Sequence, residues 1–226
     1  MIDVNRQEIK YVLPLEKLAA LQKRLDGIME RDIHGNRGEY MVRSQYYDSL
    51  KDGDLFDNLN GVMEKRKVRV RIYDAEDAAA KLEYKCKSGS ISRKLSVSIK
   101  RQEAIWMEQG VWGWMLGYQE ELAGYLYGKA VREVYVPRTI VEYQRLAYAS
   151  PINDTRITFD TQIKGTLNPY GLFGREQKYV PLMEPDLGVL EIKFDRFFPD
   201  YLRKVLDGLD SLAEANSKYT RARLLI

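Results

Sequence analysis

The chain has 226 residues, of which 45% are hydrophobic and 31% charged, and this composition excludes an intrinsically disordered protein. Its 36 basic and 33 acidic residues leave a net charge of only +3, which argues against a protein that coats nucleic acid. The single cysteine excludes an intrachain disulfide, and the single histidine excludes a zinc site built from several histidines. No apolar run is long enough for a membrane span and no signal peptide is evident, so we expect a cytoplasmic protein.

Alternation of polar and apolar residues recurs along the chain and is typical of half-buried strands. It predicts strands at 6–12, 43–48, 64–73, 81–87, 94–99, 138–148, 155–163 and 188–195. Apolar residues at helical spacing predict helices from Pro14 to about 31–35, over 101–117, over 119–132 and over 199–215. We expect Pro137 to end the helical middle section, 51–61 to form turns and 216–226 to form a tail. These elements predict one α+β domain over residues 1–226, with mostly antiparallel strands.

Most of the predicted strands have one apolar and one ionic face, because successive side chains point to opposite sides. In Lys67-Val68-Arg69-Val70-Arg71-Ile72, cations alternate with β-branched residues. The ionic positions of the whole set are Glu8, Lys10, Lys67, Arg69, Arg71, Glu83, Lys85, Lys87, Lys94, Arg156, Asp160, Glu191 and Lys193. The strand at 141–148 fits less well, since Arg145 shares its side with Val141 and Tyr143. Taken singly, each ionic face is explained by a sheet that is wet on one side.

Taken together, the ionic faces allow a second interpretation, in which the sheet closes into a barrel and turns them inward. Crowded cations repel one another unless an anion lies among them, so this arrangement predicts a polyanionic ligand. Phosphoryl transfer suits such a place, because its catalysis consists largely of positioning and charge neutralisation. Glu191, Glu8 and Glu83 are candidate ligands for Mg²⁺ or Mn²⁺. An ion pair explains Glu83 equally well, whereas the apolar run around Glu191 favours a metal.

Other side chains that could carry chemistry are better explained by packing. The spacing of Trp106, Trp112 and Trp114 is typical of core or helix-face positions, and Cys86 shares a strand face with apolar neighbours. Neither a Walker A sequence nor Gly-x-Gly-x-x-Gly occurs in the chain.

The order of the short motifs resembles a known family. Arg6-Gln7-Glu8-Ile9-Lys10-Tyr11 looks like the opening motif of the triphosphate tunnel metalloenzymes, also called the CYTH superfamily. The later motifs resemble the polyphosphate polymerase domain of the vacuolar transporter chaperone (VTC) family. They are Tyr46-Tyr47-Asp48, Lys67 to Arg71, Glu83-Tyr84-Lys85, Arg138 through Arg145, Arg156 to Asp160, Leu190 to Lys193 and Ser217-Lys218-Tyr219. Arg6 replaces the first Glu of the broader superfamily motif, which favours the polymerase branch.

The resemblance implies a closed, eight-stranded antiparallel β-tunnel with flanking helices. It implies that phosphates are bound by Lys10, Arg69, Arg71, Lys85, Lys94, Arg145 and Lys218. We assign cofactor binding to Arg6, Tyr143, Arg156 and Lys193. Glu191 is expected to hold Mn²⁺ or Mg²⁺, with Glu8 as the second ligand. The implied reaction transfers the γ-phosphoryl group of ATP to a growing polyphosphate chain.

Two other functions remain open at this point. One is hydrolysis of inorganic or nucleoside triphosphate on the same fold, and the other is polyphosphate binding without catalysis. All three predict ATP, triphosphate or polyphosphate as the partner, with no nucleic acid and no direct membrane span. The SPX domain and membrane helices of eukaryotic family members are not seen in this sequence.

Overall fold

A computed structural model of the protein describes residues 6–32, 38–88, 91–166, 168–206 and 217–225. Its strands are β1 (Arg6–Pro14), β2 (Glu30–Arg31), β3 (Glu39–Ser49), β4 (Glu64–Ile72), β5 (Ala79–Ser88), β6 (Ile91–Lys100), β7 (Tyr135–Ser150), β8 (Thr155–Thr166), β9 (Val180–Pro181) and β10 (Leu187–Asp195). Its helices are α1 (Leu15–Leu25), α2 (Gly53–Leu59), α3 (Arg101–Glu108), α4 (Glu121–Glu133), α5 (Asp200–Val205) and α6 (Lys218–Leu225). None of the described helices is long and apolar enough to cross a membrane.

The predicted α+β class with mostly antiparallel pairing is confirmed, but the strand count is ten rather than eight. The strands hydrogen-bond in the order β1-β10-β8-β7-β3-β4-β5-β6, with β2 on β7 and β9 on β8. Each of the eight predicted strands exists, and the two additional ones have two residues each, too few for an alternation to be visible. In the described part of the chain this order is a path that ends at β1 and β6, whereas a closed ring was expected.

The chain folds as two compact units. Unit 1 comprises Met1–Met41, Tyr143–Lys164 and Pro181–Ser217. Its core contains apolar residues of α1, β8 and β10, such as Leu18, Phe159 and Leu190. Gly188 on β10 allows α1 to pack closely, because a Cβ atom there would lie 2.6 Å from a side-chain carbon of Leu18. One apolar side of β10 is therefore covered by α1.

Unit 2 comprises Val42–Glu142, Gly165–Val180 and Lys218–Ile226. Its core joins the apolar faces of β4, β5 and β6 to the helical segment between β6 and β7, through residues such as Val70, Leu82 and Met107. Trp112 is buried in this core, and Trp114 and Cys86 pack against it, so their predicted packing roles are confirmed. Because the apolar faces of these strands are covered in this way, their ionic faces are directed to the opposite side of the sheet.

Several predicted helix boundaries were wrong. Helix α1 ends at Leu25, earlier than predicted, and β7 begins at Tyr135, so Pro137 lies within a strand instead of ending the helical section. The first residues of a strand tolerate proline, which lacks the N–H donor that a ladder requires. Helix α5 covers only Asp200–Val205 of the predicted last helix. Residues 207–216, like His34, lie outside the described part of the chain.

Helices α2 and α6 occupy segments that were predicted as turns and tail, and both depend on Asp48. The carboxylate of Asp48 accepts the backbone N–H groups of Asp54 and Leu55 at 2.9 Å and so caps the first turn of α2. The hydroxyl of Tyr219 on α6 donates to the same carboxylate at 2.7 Å. Asp48 lies shortly before α2 but far from α6 in the sequence, so its contact with α6 has no local signal.

Candidate active site

The ionic faces of β4, β5 and β6 carry a group of six residues that we call the β4–β6 cluster. Its members are Lys67, Arg69, Arg71, Glu83, Lys85 and Lys94. The register places Lys67 directly opposite Lys85, and Lys85 directly opposite Lys94. Directly opposite residues have Cβ atoms about 4.5–5.5 Å apart, so three lysine side chains stand next to one another across three strands. Like charges in such a row destabilise the sheet.

Glu83 is the carboxylate at the centre of this cluster. It is buried, and it accepts a hydrogen bond from Arg69 Nε at 2.6 Å. It also contacts Arg71 Nη2 at 3.7 Å and the ammonium group of Lys94. Burial alone would raise the pKa of Glu83, but the nearby charges of Arg69, Arg71 and Lys94 hold it well below the usual range. Of the two interpretations of Glu83, these contacts support the ion pair.

Of the six members of the β4–β6 cluster, five are cations and one is a carboxylate. Burial and the two neighbouring guanidinium groups lower the pKa of Lys94, although Glu83 opposes that shift. A small cavity of about 30 Å³ is lined by Lys67, Arg69, Glu83, Lys85 and Lys94. That volume exceeds what one water molecule requires. Excess positive charge around such a cavity is suited to binding an anion.

Helix α6 brings Lys218 to the same unit, and the contacts of Tyr219 fix its position. The ring of Tyr219 stacks on Tyr46 with centroids 5.1 Å apart, and the Tyr46 hydroxyl accepts a hydrogen bond from Arg69 at 3.3 Å. Burial would raise the pKa of Tyr46, but the positive charges of Arg69, Arg71 and Lys218 lower it. Lys218 is therefore near enough to Tyr46 for its charge to act on the hydroxyl that Arg69 contacts.

A second group of ionic residues lies in unit 1, and we call it the β10 cluster. Its members are Glu8, Lys10, Arg145, Asp160, Glu191 and Lys193. Lys10 is directly opposite Glu191, and Glu8 is directly opposite Lys193. Cations and carboxylates thus alternate both along and across the strands, a favourable pattern of opposite-charge pairs. With three cations and three carboxylates, this cluster is balanced, unlike the β4–β6 cluster.

Glu191 is buried in the β10 cluster among three cations. Its carboxylate lies 2.9 Å from Lys193 Nζ, 3.6 Å from Arg145 Nη2 and 3.7 Å from Lys10 Nζ. Burial would raise the pKa of Glu191, but the charges of Lys193, Lys10 and Arg145 keep it well below the usual range. Glu191 is therefore ionised at neutral pH, as a metal ligand must be.

The two lysines beside Glu191 differ in their pKa values. Burial lowers the pKa of Lys193 to about 8 despite the opposing charge of Glu191. For Lys10 burial acts in the same direction, but Glu191 and Glu8 outweigh it and raise the pKa to about 12. Glu8 contacts Lys10 at 2.6 Å. Lys10 thus links the two carboxylates that were predicted to bind metal.

Arg145 shares a side of β7 with Val141 and Tyr143, but that side faces ionic partners, and Leu146 and Tyr148 on the other side join the core. Arg145 is buried and makes two hydrogen bonds to Asp160, at 2.6 and 2.8 Å. Its guanidinium carbon lies 5.2 Å from the centroid of the Tyr143 ring. The fully buried Asp160 therefore orients Arg145 toward Glu191, a role that sequence reasoning did not assign to it. The only hint in the sequence was that Arg156 and Asp160 occur in one motif and share the ionic face of one predicted strand.

Arg156 and Arg6 are less clearly part of the β10 cluster. Arg156 is directly opposite Lys193, but its guanidinium pairs with Asp32 at 2.5 Å and donates to the Tyr40 hydroxyl at 3.1 Å. Arg6 lies at the first position of β1, opposite Asp195. The cofactor-binding roles assigned to these two residues stay predictions.

The carboxylates of the β10 cluster fit a hard divalent ion only with help from substrate. Within the described ranges, no group of three or more His, Cys, Asp or Glu side chains is arranged to hold a metal. Glu191 and Glu8 supply oxygen ligands from two strands, and Mg²⁺ is commonly bound by one or two carboxylates together with substrate phosphates and water. This donor set therefore fits Mg²⁺ or Mn²⁺ bound together with a phosphate.

Comparison with known proteins identifies the family. The family model described as the VTC domain matches residues 5–226. The chain belongs to the VTC domain family. No curated protein sequence matches this VTC domain.

Solved structures share the fold of this VTC domain. A putative adenylate cyclase from Bacillus halodurans has 10% identity and a TM-score of 0.51, over 94% of this chain and 96% of that one. A putative adenylyl cyclase from Hippeastrum, described as having a dominant triphosphatase activity, has 16% identity and a TM-score of 0.54, over 96% and 94%. At these identities the likeness shows the fold alone, and it agrees with the predicted triphosphate tunnel class.

Proposed function

We propose that this VTC domain is a metal-dependent polyphosphate polymerase, which transfers the γ-phosphoryl group of ATP to a growing polyphosphate chain and releases ADP. The observation that carries the proposal is the cross-strand row of Lys67, Lys85 and Lys94. With Arg69 and Arg71 beside it, this row gathers positive charge on one face of the sheet, where a polyanion would bind favourably. A linear polyphosphate has regularly spaced negative charges that suit a row of ammonium groups.

Charge neutralisation is the main chemical task of the basic residues. In the proposed reaction, a terminal oxygen of the polyphosphate chain attacks the γ-phosphorus of ATP. The bond from that phosphorus to the β–γ bridging oxygen breaks, and ADP leaves with the electron pair. The guanidinium groups of Arg69 and Arg71 and the ammonium groups of Lys85 and Lys94 would stabilise charge on the transferring group. No protein nucleophile is needed.

The β10 cluster is the proposed metal-binding part. Glu191 and Glu8 would hold Mn²⁺ or Mg²⁺, which supplies Lewis-acid stabilisation of the phosphate oxygens when bound. Lys10, Arg145 and Lys193 already surround Glu191, so they can contact the same phosphates without a large rearrangement. Asp160 keeps Arg145 in that orientation through its two hydrogen bonds. We assign Asp160 to positioning because its contacts are with Arg145.

Hydrolysis of triphosphate is the second candidate function. The Hippeastrum protein, which shares the fold, is described as having a dominant triphosphatase activity. In that reaction a water molecule would replace the polyphosphate chain as the attacking group, and the charge requirements of the site would be the same. The contacts of the two clusters do not separate these reactions, but their products do.

The test is to incubate the purified protein with ATP and Mn²⁺ and to follow products on a polyacrylamide gel. Chains that lengthen with time while ADP accumulates are expected. Free phosphate without long chains would overturn the polymerase in favour of the triphosphatase. Glu191→Gln should abolish turnover, whereas Glu76→Gln, which alters an exposed ion pair with Arg175, should not. An active Glu191→Gln protein would contradict the assigned metal ligand.

A third possibility is a module that binds polyphosphate without turning it over. It predicts tight, salt-sensitive binding by both the wild-type protein and Glu191→Gln, and no reaction in either. Measuring polyphosphate affinity and turnover in the same samples distinguishes this case from an enzyme.

A further inference from the structure

The strand register places a hydroxyl group beside the predicted metal ligand Glu191. Thr158 on β8 is directly opposite Glu191, which in turn is directly opposite Lys10 on β1. Directly opposite residues of an antiparallel pair project to the same face with neighbouring Cβ atoms. Lys10, Glu191 and Thr158 therefore form one cross-strand row, and the Thr158 side chain is directed to the side of the sheet that carries the β10 cluster.

The hydroxyl of Thr158 has no hydrogen-bond partner within the described part of the chain. Thr158 is only 2% exposed, and its Oγ1 atom is buried from solvent. Other buried threonines differ in this respect, since Thr155 Oγ1 donates to the carbonyl of Ile152 at 2.7 Å and Thr139 Oγ1 donates to that of Thr166 at 3.0 Å. Burying a hydroxyl without a partner is costly, so each such group calls for an explanation.

We propose that Thr158 is a positioning residue for the divalent ion, and that its hydroxyl hydrogen-bonds a water molecule of the ion held by Glu191. This inference rests on the proposed function in one respect, which is the metal at Glu191. Mg²⁺ and Mn²⁺ keep several water ligands when only one or two carboxylates bind them. Those waters need partners in the protein, and Thr158 supplies an oxygen that both donates and accepts.

Hydrogen bonds from the protein to the ligands of a metal affect its affinity strongly, since their loss typically weakens metal binding about 10- to 100-fold. The same hydroxyl should destabilise the metal-free protein, because it is buried and has no partner among the residues that the structure describes. Replacing it with a methyl group of similar shape should remove that cost. Thr158→Val is therefore expected to have opposite effects on the metal-free and the metal-bound protein, which a purely structural threonine would not show.

The experiment compares wild type, Thr158→Val, Thr158→Ser and Thr155→Val in two measurements on the full chain. Mn²⁺ affinity is measured by the electron paramagnetic resonance signal of the free ion, with the same concentration of inorganic triphosphate for every variant, and the metal-free melting temperature by calorimetry. Thr158→Val should bind Mn²⁺ about 10- to 100-fold more weakly while its Tm rises by about 2–4 °C. Thr158→Ser should keep the wild-type affinity. Thr155→Val should have a lower Tm because its hydrogen bond to Ile152 is removed, and its Mn²⁺ affinity should be unchanged.

Three results would overturn the proposal in different ways. If Thr158→Val binds Mn²⁺ as wild type does and Glu191→Gln does not, Thr158 has no role and the metal assignment stands. If Glu191→Gln binds as tightly as wild type, the ion does not depend on Glu191 and both assignments fail. A Tm of Thr158→Val that falls as that of Thr155→Val does would show a structural partner for the hydroxyl, which also contradicts the proposal.

Discussion

Replacing Glu83 with glutamine tests the charge imbalance of the β4–β6 cluster. Glutamine keeps the size and a hydrogen-bonding oxygen but removes the negative charge that faces Arg69, Arg71 and Lys94. The five cations of the cluster would then have no carboxylate among its members. The Glu83→Gln protein should therefore be less stable than wild type in buffer that contains no polyanion.

The magnitude follows from burial of the partners. Breaking a buried ion pair by removing one member costs about 3–5 kcal/mol. The Glu83 and Arg71 side chains are 5% and 8% exposed, but the Lys94 side chain is 50% exposed and its share is screened by solvent. We therefore expect a loss of about 2–3 kcal/mol in unfolding free energy, which corresponds to roughly 4–12 °C in Tm for a chain of this size.

The assay is urea unfolding with and without inorganic triphosphate. A ligand that binds only the folded state at about 100 times its Kd adds about 2.7 kcal/mol, so triphosphate should restore most of the lost stability. Its stabilising effect should be larger for Glu83→Gln than for wild type, because the carboxylate no longer repels the anion. Glu142→Gln is the matched control, since Glu142 pairs with the buried Arg43 at 2.6 Å and belongs to neither cluster.

Two outcomes would refute this reasoning. A Glu83→Gln protein as stable as wild type in phosphate-free buffer would mean that the cations of the cluster do not depend on Glu83. Equal rescue of Glu83→Gln and Glu142→Gln by triphosphate would mean that the anion binds away from the β4–β6 cluster.

Three other variants extend the test. Burial raises the pKa of Asp54 to about 6, although the hydrogen bond from Tyr135 opposes the shift. The folded state therefore keeps a proton that the unfolded state loses, and the free energy of unfolding falls as pH rises from about 4 through 6. In urea unfolding, Asp54→Asn should lose this pH dependence of stability and should be about 1–3 kcal/mol more stable than wild type at pH 8. An unchanged pH dependence would contradict the assignment to Asp54. Tyr219→Phe loses the 2.7 Å hydrogen bond to Asp48, which should lower the free energy of unfolding by about 1–2 kcal/mol. It should also weaken triphosphate binding in titration calorimetry. Unchanged affinity would show that α6 is held by its other contacts. Lys85→Gln should weaken triphosphate binding and lower its salt dependence relative to the exposed control Lys23→Gln, and equal behaviour of the two would remove Lys85 from the site.

The alternation of charged and apolar residues was sufficient to predict the eight long strands and their ionic faces. It did not predict α2 or α6, because the caps and contacts that hold them come from Asp48 on β3. Nor did it explain Arg145, whose ionic partner Asp160 lies in another strand. Contacts between strands that are distant in the sequence have no local signal.

For the candidate site too, the sequence revealed some features and the structure was needed for others. The cations of β4 and β5 and the carboxylate Glu191 could be selected from the sequence, but their register could not. The row of Lys67, Lys85 and Lys94 and the placement of Thr158 opposite Glu191 follow from strand pairing. Shifting either pairing by one residue would turn these side chains to opposite faces. The charge excess of one cluster and the balance of the other therefore became visible only in the structure.

The most direct test of the account is a crystal structure of the protein with Mn²⁺ and a non-hydrolysable triphosphate analogue. We predict phosphate oxygens within hydrogen-bonding distance of the ammonium groups of Lys67, Lys85 and Lys94, and Mn²⁺ coordinated by Glu191. A triphosphate bound elsewhere, with water alone against the three lysines, would contradict the central claim that the ionic faces of these strands bind polyphosphate.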